Sequence, residues 1–595
     1  YISKSMSLDQ EISGAEIILQ ALKDQEVDTI FGYPGGAVLP IYDAIFGQNF
    51  LKHVLVRQEA GAVHAAEGFA RSSGKVGVLL VTSGPGVTNV VTGLTDALMD
   101  SIPIVCISGQ VPSHLIGTDA FQECDTTGIT RPCTKHNYLV KDVNKLSETI
   151  HEAFEIARSG RPGPVLIDVP KDIQFAKAKY TPKSDVTFKP HRIKSGSSEI
   201  DSQFIEKLIE HIQQSKKPVF YVGGGCLNSG PQASQELMKL VQKTNIPVTT
   251  TLHGLGCYPG EDSKSLAMLG MHGTYEANLA MNECDLMINV GARFDDRVTG
   301  RLDAFSPNSV KFHFDIDQSS INKNVKVDYH TNTDISLSLK AINDQIISRG
   351  INFDQNQYDH WWSQIEEWRG KDCLHYEQGD DVIKPQHAIK RLYELTNQQD
   401  TFITTEVGQH QMWAAQYYKF SKPNRWITSG GLGTMGFGMP AAIGAQMANP
   451  EALVVDIAGE ASFLMNIQEI ATAVQYKLPI KIFILNNEYM GMVRQWQELL
   501  HGSRYSESYV DALPDFKKLA ESFNAVGVRA KNLSELDDAI KEMISVDRPV
   551  IADIWVDKKE NCFPMIPSGA AHNEMLLSKY DKEKPENQEK GKVLV

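Results

Sequence analysis

Short runs of apolar residues recur along the chain, and glycine or polar turn residues close each of them. The clearest are "KVGVLLVTSGPG", "PIVCISGQ", "GPVLIDVP", "KPVFYVGGG", "CDLMINVGARF", "LVVDIAGE", "PIKIFILNN" and "RPVIADIWV". Runs that are apolar at every position are typical of strands in a parallel sheet that is covered on both faces. Helix-length segments separate the runs, so the pattern predicts an α/β protein with right-handed crossovers.

Two stretches interrupt this alternation in the chain of 595 residues. Residues 179–202 are polar and contain proline and serine, whereas 349–385 is rich in tryptophan and charge and has weak strand signals. A chain of this length needs more than one hydrophobic core. We therefore predict three doubly wound parallel-sheet domains and a charged tail. The predicted domains span 8–180, 200–348 and 380–560, and the tail spans 561–595.

Composition and charge exclude several classes of protein. The net charge of −15 and the lack of any Lys/Arg block argue against a nucleic-acid partner. No apolar run is long enough to span a membrane, and the first residues lack the apolar core of a signal peptide. The 8 cysteines are scattered, which predicts reduced thiols and no structural zinc. We expect a cytoplasmic protein, or one of an organelle matrix if a transit peptide has been removed.

A carboxylate and an amide follow two successive predicted strands. Glu460 comes after "LVVDIAG", and Asn487 comes after "IKIFILN", one helix and one returning strand later. Neighbouring parallel strands bring their carboxyl ends to the same ligand-binding edge. Together with a turn carbonyl near Tyr489, these oxygens suit Mg²⁺ and a phosphate, which a helix beginning at Ser462 would also meet. Asp456, within the strand, is expected to be buried structure or a cofactor contact.

A second carboxylate, Glu59, follows the short strand "HVLVRQ" and precedes a helix rich in small residues. The upstream segment "FGYPGGAVLP" carries Gly35 and Gly36, which permit close approach of the backbone to a ligand. A lone glutamate in this position is more often a solvated residue of a first helical turn. The pattern alone therefore leaves the role of Glu59 open, and we expect Glu67 on the following helix to be structural.

Two glycine-rich segments compete as nucleotide-binding loops. The G-x-G-x-x-G formed by Gly431, Gly433 and Gly436 lacks a suitably spaced downstream acidic residue and is a weak dinucleotide fingerprint. The segment "YVGGGCLNSG" at 221–230 follows a predicted strand and opens the middle block, so it is the better candidate.

The combined motifs resemble those of the thiamine-diphosphate (ThDP) enzymes. Gly-Glu-Ala-Ser at 459–462 followed by Asn-Asn at 486–487 resembles their diphosphate–metal motif, in which Asp usually stands at the position of Glu460. The segments "GLGTMGFGMPAAIGAQ", "EVGQHQMWAAQYY", "GTDAFQE", "LGMHGTYEANLA", "GARFDDRVTG" and "GMVRQWQ" resemble the catalytic subunit of acetohydroxyacid synthase (acetolactate synthase). The resemblance extends from about Ile12 to about Pro567.

This resemblance implies a role for each of many residues. Glu59 would hydrogen-bond the aminopyrimidine ring of ThDP, Gln122 and Gly36 would lie at the reacting centre, and Lys171 would line the substrate entry. The implied ThDP contacts are Pro34, Gly35, Val407, Gly408, Gln409, His410, Gly433, Met435, Gly459, Ala461, Ser462, Met490, Gly491 and Met492. The implied Mg²⁺ ligands are Glu460, Asn487 and Tyr489. The implied substrate contacts are Phe121, Met492, Val493 and Trp496, of which Trp496 would pack against the extra methyl group of a larger second substrate.

The resemblance also implies a bound FAD. Its implied role is structural, because the reaction that the resemblance implies, described below, involves no net oxidation or reduction. The implied FAD contacts are Gly223, Gly224, Gly225, Met271, His272, Gly291, Arg293, Asp296, Arg297 and Asp315, with Asp317 nearby. The alternative for these charged residues is a surface network. FAD is preferred on the resemblance alone.

The implied activity is decarboxylation of pyruvate on ThDP and transfer of the two-carbon unit to pyruvate or 2-ketobutyrate, in branched-chain amino acid biosynthesis. The resemblance implies a homodimer or homotetramer, in which one subunit contributes Glu59 and the other Glu460, and a separate small regulatory subunit. Pyruvate oxidase is an alternative, whereas glyoxylate carboligase is disfavoured because it has Val in place of Glu59. A catalytically silent family member is a further alternative, favoured only by Glu460 in place of Asp.

Overall fold

Helices alternate with strands in the computed structural model, which describes residues 9–188 and 196–594. The strands form three six-stranded parallel sheets and one antiparallel pair. Each six-stranded sheet reverses its direction of strand addition near the middle, so the crossovers lie on both faces. The predicted α/β class with three doubly wound parallel sheets is confirmed. Part of the predicted linker 179–202 lies outside the described residues.

The first sheet has the strand order β3-β2-β4-β5-β7-β6, and β1 pairs with β8 beside it. Its strands and the pair are β1 (Glu11–Ser13), β2 (Thr29–Gly32), β3 (Lys52–Leu55), β4 (Gly77–Val81), β5 (Ile104–Gln110), β6 (His136–Leu139), β7 (Pro164–Pro170) and β8 (Lys177–Lys179). The helices of this part are α1 (Gly14–Asp24), α2 (Leu39–Phe46), α3 (Glu59–Ser73), α4 (Pro85–Thr88), α5 (Val91–Met99), α6 (Thr126–Thr130), α7 (Leu146–Arg158) and α8 (Lys171–Phe175).

The second sheet has the strand order β11-β10-β9-β12-β13-β14. Its strands are β9 (Pro218–Val222), β10 (Val248–Thr250), β11 (Ser265–Met268), β12 (Leu286–Val290), β13 (Val310–Phe314) and β14 (Tyr329–Thr331). The helices of this part are α9 (Ser202–Gln214), α10 (Gly224–Asn228), α11 (Pro231–Thr244), α12 (Tyr275–Glu283), α13 (Asp296–Thr299), α14 (Ile335–Ser348) and α15 (Asp359–Arg369).

The third sheet has the strand order β16-β15-β17-β18-β20-β19. Its strands are β15 (Thr401–Thr405), β16 (Trp426–Ile427), β17 (Leu453–Ala458), β18 (Lys481–Asn486), β19 (Val526–Ala530) and β20 (Val550–Trp555). The helices of this part are α16 (Pro385–Thr396), α17 (Gln409–Tyr417), α18 (Gly438–Ala448), α19 (Glu460–Leu464), α20 (Glu469–Gln475), α21 (Gly491–Leu500), α22 (Phe516–Ser522), α23 (Leu533–Ser545) and α24 (Pro585–Leu594).

The structure differs from the sequence expectation in two segments outside these sheets. Within 349–385, α15 buries Trp361 and Ile365 in the core of the second sheet, and the Trp361 indole donates to the carbonyl oxygen of Pro218 at 3.0 Å. This stretch forms a helix rather than a linker because its tryptophan side chains supply an apolar helix face that packs against the core. In the expected tail, Cys562 and Met565 are buried.

The helix expected to follow Glu460 also differs from its prediction. It begins at Glu460 rather than Ser462, and turns at 465–468 divide it into α19 and α20. Asn466 lies in this break, where its side-chain amide donates to the carbonyl oxygen of Gly436 at 2.7 Å. The inward-facing amide accounts for the break, because it binds a neighbouring loop instead of extending the apolar face.

One hydrophobic core is common to the first and third sheets, and α3 and α18 cross within it. The helices approach closely because each has a glycine at the crossing. A Cβ atom on Gly68 would overlap the carbonyl oxygen of Ala441, and one on Gly444 would overlap that of Ala65. This contact fixes the orientation of the two sheets.

Two further properties bear on the sequence expectations. The 8 cysteines of the chain all lie in the described ranges and are free thiols, most of them buried. Among the helices of 9–188 and 196–594, none is both long and apolar enough to cross a bilayer.

Replacing Gly444 with alanine is expected to destabilise the folded chain by about 1–3 kcal/mol, because the added methyl group overpacks the α3–α18 crossing. Thermal and urea unfolding of the purified variant measure this loss. Gly379→Ala is the matched control, since no atom lies within 4 Å of its added Cβ. Equal stability of the two variants would show that α3 and α18 can move apart without loss of stability.

Candidate functional site

A cavity of about 1390 Å³ lies at the carboxyl ends of the strands of the second and third sheets, and residues of the first sheet's part, such as Arg71, Asp100 and Arg161, also line it. This volume exceeds that of a typical site for one small ligand, so it can hold more than one cofactor-sized molecule. The cavity brings together most of the residues predicted for ThDP and Mg²⁺. They are Val407, Gly408, Gln409, His410, Gly433, Met435, Gly459, Glu460, Ala461, Ser462, Asn487, Tyr489, Met490, Gly491 and Met492.

Glu460 begins α19 directly after β17, and its side chain is 1% exposed. One carboxylate oxygen accepts the backbone N–H of Asn487 at 2.6 Å, which joins the ends of β17 and β18. Its other oxygen, Oε2, is buried and has no hydrogen-bond partner in the described part of the chain. Burial raises the pKa of the Glu460 carboxyl to about 8. A buried carboxylate with one unused oxygen facing a cavity is a suitable ligand for a cation.

Two other polar groups in this part of the cavity have unused or fixed atoms. His410 is buried, its Nε2 has no partner among the residues described, and burial lowers its pKa to about 3, so the ring is neutral. The Asn487 side-chain oxygen accepts the backbone N–H of Tyr489 at 3.2 Å. Gly459 permits this arrangement, since a Cβ atom there would lie 2.7 Å from the His410 ring.

Helix α21 presents the predicted substrate contacts Met492, Val493 and Trp496 to the cavity. Its opposite face is anchored to the chain that follows β20. Arg494, 1% exposed, donates to the carbonyl oxygen of Glu560 and to the side chain of Asn561, both at 2.7 Å. A buried charge held by these fixed acceptors keeps the cavity-facing side chains in place.

Glu406 is a buried residue for which the sequence analysis proposed no role. It directly follows β15, accepts the backbone N–H groups of Gly436 and Met439 at 3.0 and 2.9 Å, and accepts the Ser462 hydroxyl at 2.9 Å. It therefore ties the glycine loop before α18 to α19. The sequence contained a signal for this residue, because Glu406 comes shortly after a strand, as Glu460 does. Asp456 is fully buried and does not line the cavity.

The predicted FAD contacts line the part of the cavity formed by the second sheet. They are Gly224, Gly225, Met271, His272, Gly291, Arg293, Asp296, Arg297 and Asp315. Gly223 and Asp317 do not line it. A Cβ atom on Gly223 would lie 2.5 Å from Ala292 Cα, so this glycine serves the close packing of β9 and β12. Asp315 stands at the carboxyl end of β13, beside His313 at 3.2 Å.

The predicted residues of the first sheet form a second group, away from the cavity. Glu59 begins α3, and its carboxylate accepts the Asn89 side-chain N–H at 3.0 Å. A side chain on Gly35 would overlap Thr82, and one on Gly86 would lie 3.7 Å from the Glu59 carboxylate. These residues stand at the carboxyl ends of β2, β3 and β4, which is a ligand edge of its own.

Gln122 adjoins this group, since a Cβ atom on Gly84 would lie 2.6 Å from its carbonyl oxygen. Gln122 has a φ of 59°, a left-handed conformation that is strained for a residue with a side chain. Lys171 begins α8 at the end of β7. Exposed members of the group are Pro34, Gly36 and Phe121, and the Phe121 side chain is 89% exposed. Within the described ranges, none of the first-sheet residues predicted for the site lines the cavity.

Models of one protein family match three parts of the chain. Residues 12–129 match the model of the N-terminal TPP binding domain of thiamine pyrophosphate enzymes, 205–342 the central domain, and 406–554 the C-terminal TPP binding domain. Each group of predicted ThDP residues thus lies in a domain, or directly beside one, of a type that binds thiamine diphosphate. The fold and the site define a thiamine-diphosphate enzyme.

Named relatives narrow this class. The chain is 46% identical over 575 residues to the acetolactate synthase large subunit of Haemophilus influenzae, covering 96% of this chain and 100% of the relative. It is 46% identical over 576 residues to the isozyme 3 large subunit of Escherichia coli, covering 96% and 99%. It is 47% identical over 584 residues to the mitochondrial catalytic subunit of Saccharomyces cerevisiae, covering 95% and 84%. The chain belongs to the acetolactate synthase catalytic-subunit family.

Gly459→Ala is expected to raise the dissociation constant for ThDP at least about tenfold, or ~1.4 kcal/mol, because the new methyl group displaces the His410 ring into the cavity. Titration calorimetry with saturating Mg²⁺ measures the change. Gly47→Ala provides the control, since its nearest neighbour would lie 3.8 Å away. Unchanged affinity in Gly459→Ala would mean that the ring position does not shape the site.

Proposed function

We propose that this protein is an acetohydroxyacid synthase, which decarboxylates pyruvate and transfers the two-carbon unit to pyruvate or 2-ketobutyrate. The products would be 2-acetolactate or 2-aceto-2-hydroxybutyrate, in branched-chain amino acid biosynthesis. The observation that carries the proposal is the buried Glu460 carboxylate, joined to Asn487 and facing a cavity lined by α21. The names of the relatives support the substrate assignment.

Mg²⁺ is proposed at Glu460 and Asn487, with the main-chain carbonyl of Tyr489. The unused Glu460 Oε2 and the hard oxygen donors fit this ion, which retains phosphate oxygens and water in its other positions. Glu460 is one methylene longer than the Asp usual in this family. Because the carboxylate is fixed by the Asn487 N–H, the extra length is accommodated without loss of the strand-end contact.

ThDP, when bound, supplies an electron sink for the electron pair released as carbon dioxide leaves a 2-keto acid. The residues of the chain orient the cofactor and control protons and water. Glu59 would hold a proton at the aminopyrimidine nitrogen, with Gln122 and Gly36 beside the reacting centre and Lys171 at the entry. The apolar wall formed by Met435 and α21 would exclude water.

Selection of the second 2-keto acid is proposed to depend on the face of α21 that lines the cavity. Trp496 would pack against the methyl group that distinguishes 2-ketobutyrate from pyruvate, with Met492 and Val493 in the same pocket. Phe121 lies outside the cavity of its own chain, so it is proposed to reach this pocket from the partner subunit. One methylene supplies about 1–3 kcal/mol of discrimination.

FAD is proposed in the part of the cavity formed by the second sheet, in a structural role. The glycine-lined end of β9, the arginines 293 and 297 and the strand-end carboxylate Asp315 fit a dinucleotide with a negatively charged pyrophosphate. The size of the cavity supports a second cofactor beside ThDP. Flavin absorbance of the purified protein identifies it.

The active assembly is proposed to be a homodimer or homotetramer, in which Glu59 of the partner subunit completes the site around Glu460. Support comes from the position of Glu59 outside the cavity. A separate small regulatory subunit is proposed because the bacterial relatives are named large subunits. Localisation is proposed in a cytosol or an organelle matrix, and the yeast relative is named mitochondrial.

Product analysis tests the proposed activity. The chain is incubated with pyruvate, Mg²⁺, ThDP and FAD, and acetoin is assayed with and without acidification. We expect acidification-dependent acetoin from the wild type and from Glu460→Asp, and at least a ~10²-fold loss in Glu460→Ala, because the metal loses its anionic ligand. Acetaldehyde, or oxygen consumption without acetoin, would contradict the synthase assignment. Full activity of Glu460→Ala would contradict the metal assignment.

A further inference from the structure

Acidic side chains are buried where the first and third sheets meet, outside the cavity and outside the proposed chemistry. Glu67 lies on α3 and Asp96 on α5, and both side chains are 0% exposed. His64, one turn before Glu67, is also buried, and its Nδ1 lies 2.9 Å from Glu67 Oε1. A buried carboxylate costs free energy unless it is paired or neutralised, so two adjacent ones need a physical account.

Asp96 holds both ends of a loop that lines the cavity, the segment 429–434. Its Oδ1 accepts the hydroxyl hydrogens of Ser429 and of Thr434, the latter at 3.0 Å. The Ser429 oxygen in turn accepts the Thr434 backbone N–H at 2.8 Å, which closes the loop. Gly433, with a φ of 68°, stands at its tip beside the predicted ThDP contact Met435.

Asp100, which directly follows α5, binds the backbone of the same loop. It accepts the N–H groups of Gly430 and Gly431 at 2.9 and 2.7 Å, and His253 of the second sheet's part lies 2.9 Å from it. Burial opposes ionisation, but His253 and Arg71 outweigh it and lower the pKa of Asp100 to about 2. Asp100 is therefore a compensated anion, and Asp96 lacks such a cation.

The Glu67 and Asp96 carboxyls lie close to one another. Glu67 Oε2 and Asp96 Oδ2 are each buried and without a hydrogen-bond partner among the described residues. His64, Glu67 and Asp96 each offer an atom within 4.8 Å of the others. Burial raises the pKa of Glu67 to about 8, and burial together with Glu67 raises that of Asp96 well above its ordinary value.

We propose that Glu67 and Asp96 share one proton, which joins them as a hydrogen-bonded acid pair, and that this pair positions the 429–434 loop against the ThDP site. The proton converts two like charges into one donor and one acceptor. Asp96 then keeps its Oδ1 free to accept both loop hydroxyls. The pair acts through the loop and makes no contact with the reacting atoms, so Glu67 and Asp96 are positioning residues.

A cation bound by His64, Glu67 and Asp96 is the competing explanation. The histidine Nδ1 is already hydrogen-bonded to Glu67, and Asp96 Oδ1 is already occupied by two hydroxyls. None of these three residues lines the cavity. A hard divalent ion usually retains several waters, whereas all three of these side chains are buried. A proton satisfies the two free oxygens without further ligands.

Other titratable groups around the pair come from each neighbouring element. His64 and Arg71 lie on α3, Asp100 directly follows α5, and Glu406 approaches from the third sheet. His253 and Cys257 of the second sheet's part lie beyond Arg71 and Asp100. The variants below leave all of these groups in place. Differences in ThDP affinity or Tm between a variant and the wild type can therefore be assigned to the Glu67–Asp96 pair and its loop.

Two amide replacements and one apolar replacement in the full chain test the proposal. Glu67→Gln or Asp96→Asn replaces the shared proton by an amide N–H, so the dissociation constant for ThDP stays within about threefold of wild type. Glu67→Leu removes the partner that shares the proton and leaves the buried Asp96 Oδ2 without one, so it is expected to weaken ThDP binding about tenfold or more. Calorimetry with ThDP and Mg²⁺ measures binding without turnover.

Two outcomes of this comparison would overturn the proposal. Amide variants as damaging as Glu67→Leu would show that both charges, or a metal, are required. A Glu67→Leu variant with wild-type affinity would show that the pair does not position the loop. If Glu67→Leu fails to fold, Thr434→Val replaces it, since it removes one hydroxyl donor to Asp96 and retains the side-chain shape. It is expected to raise the ThDP dissociation constant several-fold at an unchanged Tm, and unchanged affinity would contradict the proposal.

Infrared difference spectroscopy observes the shared proton directly, and metal analysis tests for a bound cation in its place. The wild type minus Glu67→Gln spectrum at neutral pH is expected to contain a carboxylic-acid C=O band. Its absence would overturn the proposal, as would one equivalent of divalent cation in the wild type that is lost in Glu67→Gln.

The pH dependence of stability gives an independent readout. The unfolded chain releases the Glu67 proton near pH 4.5, whereas the folded pair holds it to about pH 8. The stability contributed by the protonated form is complete below the lower value and is lost as the pH rises to the upper one. The Tm of the wild type should therefore fall relative to Glu67→Gln across this window. Parallel Tm curves would contradict the proposal.

Discussion

The glycine-mediated crossing of α3 and α18 is the contact on which the arrangement of the site depends. Gly68 and Gly444 let the two helices approach until their backbones touch, and the first and third sheets consequently bury one common core. The same contact places Glu59, at the start of α3, apart from the cavity that holds Glu460. The two groups of predicted ThDP residues therefore lie apart in a single chain, each at the carboxyl edge of its own sheet.

Carboxylates inside the molecule serve different purposes according to what surrounds them. Glu406 accepts two backbone N–H groups and a hydroxyl, and is satisfied by the protein itself. Glu460 has one satisfied oxygen and one that faces the cavity. Asp100 is compensated by His253 and Arg71. Glu67 contacts His64, and Asp96 accepts two loop hydroxyls, but one oxygen of each carboxyl has no partner among the described residues. Glu460, Glu67 and Asp96 each have an unpartnered oxygen, and only Glu460 among them lines the cavity, so location rather than residue type separates the proposed cation ligand from the proposed acid pair.

The sequence predicted the features that depend on local pattern. Continuously apolar runs became the central strands of the three sheets, because burial on both faces leaves no room for alternation. The interval between Glu460 and Asn487 predicted their contact, since one helix and one returning strand fix it geometrically. Shorter edge strands such as β6 and β14, which are partly exposed, gave no comparable signal.

Contacts between distant segments could not be predicted in this way. Asp96 and the 429–434 loop lie more than three hundred residues apart in the chain, and neither has a distinctive local pattern. The helix break at 465–468 depends on Asn466 reaching Gly436, which only the folded structure brings near. The resemblance to ThDP enzymes supplied residue roles, and the separation of Glu59 from the cavity followed from the packing of α3.

The central claim is that a complete site needs two copies of the chain, and a mixing experiment tests it most directly. Glu59→Gln and Glu460→Ala are each expected to be nearly inactive as purified. After unfolding and joint refolding of equal amounts, random pairing makes half of the dimers mixed, with one of two sites intact in each. Activity should therefore return to about a quarter of that of refolded wild type. No recovery, with mixed dimers demonstrated by differential tagging, would contradict the account and place the whole site within one chain.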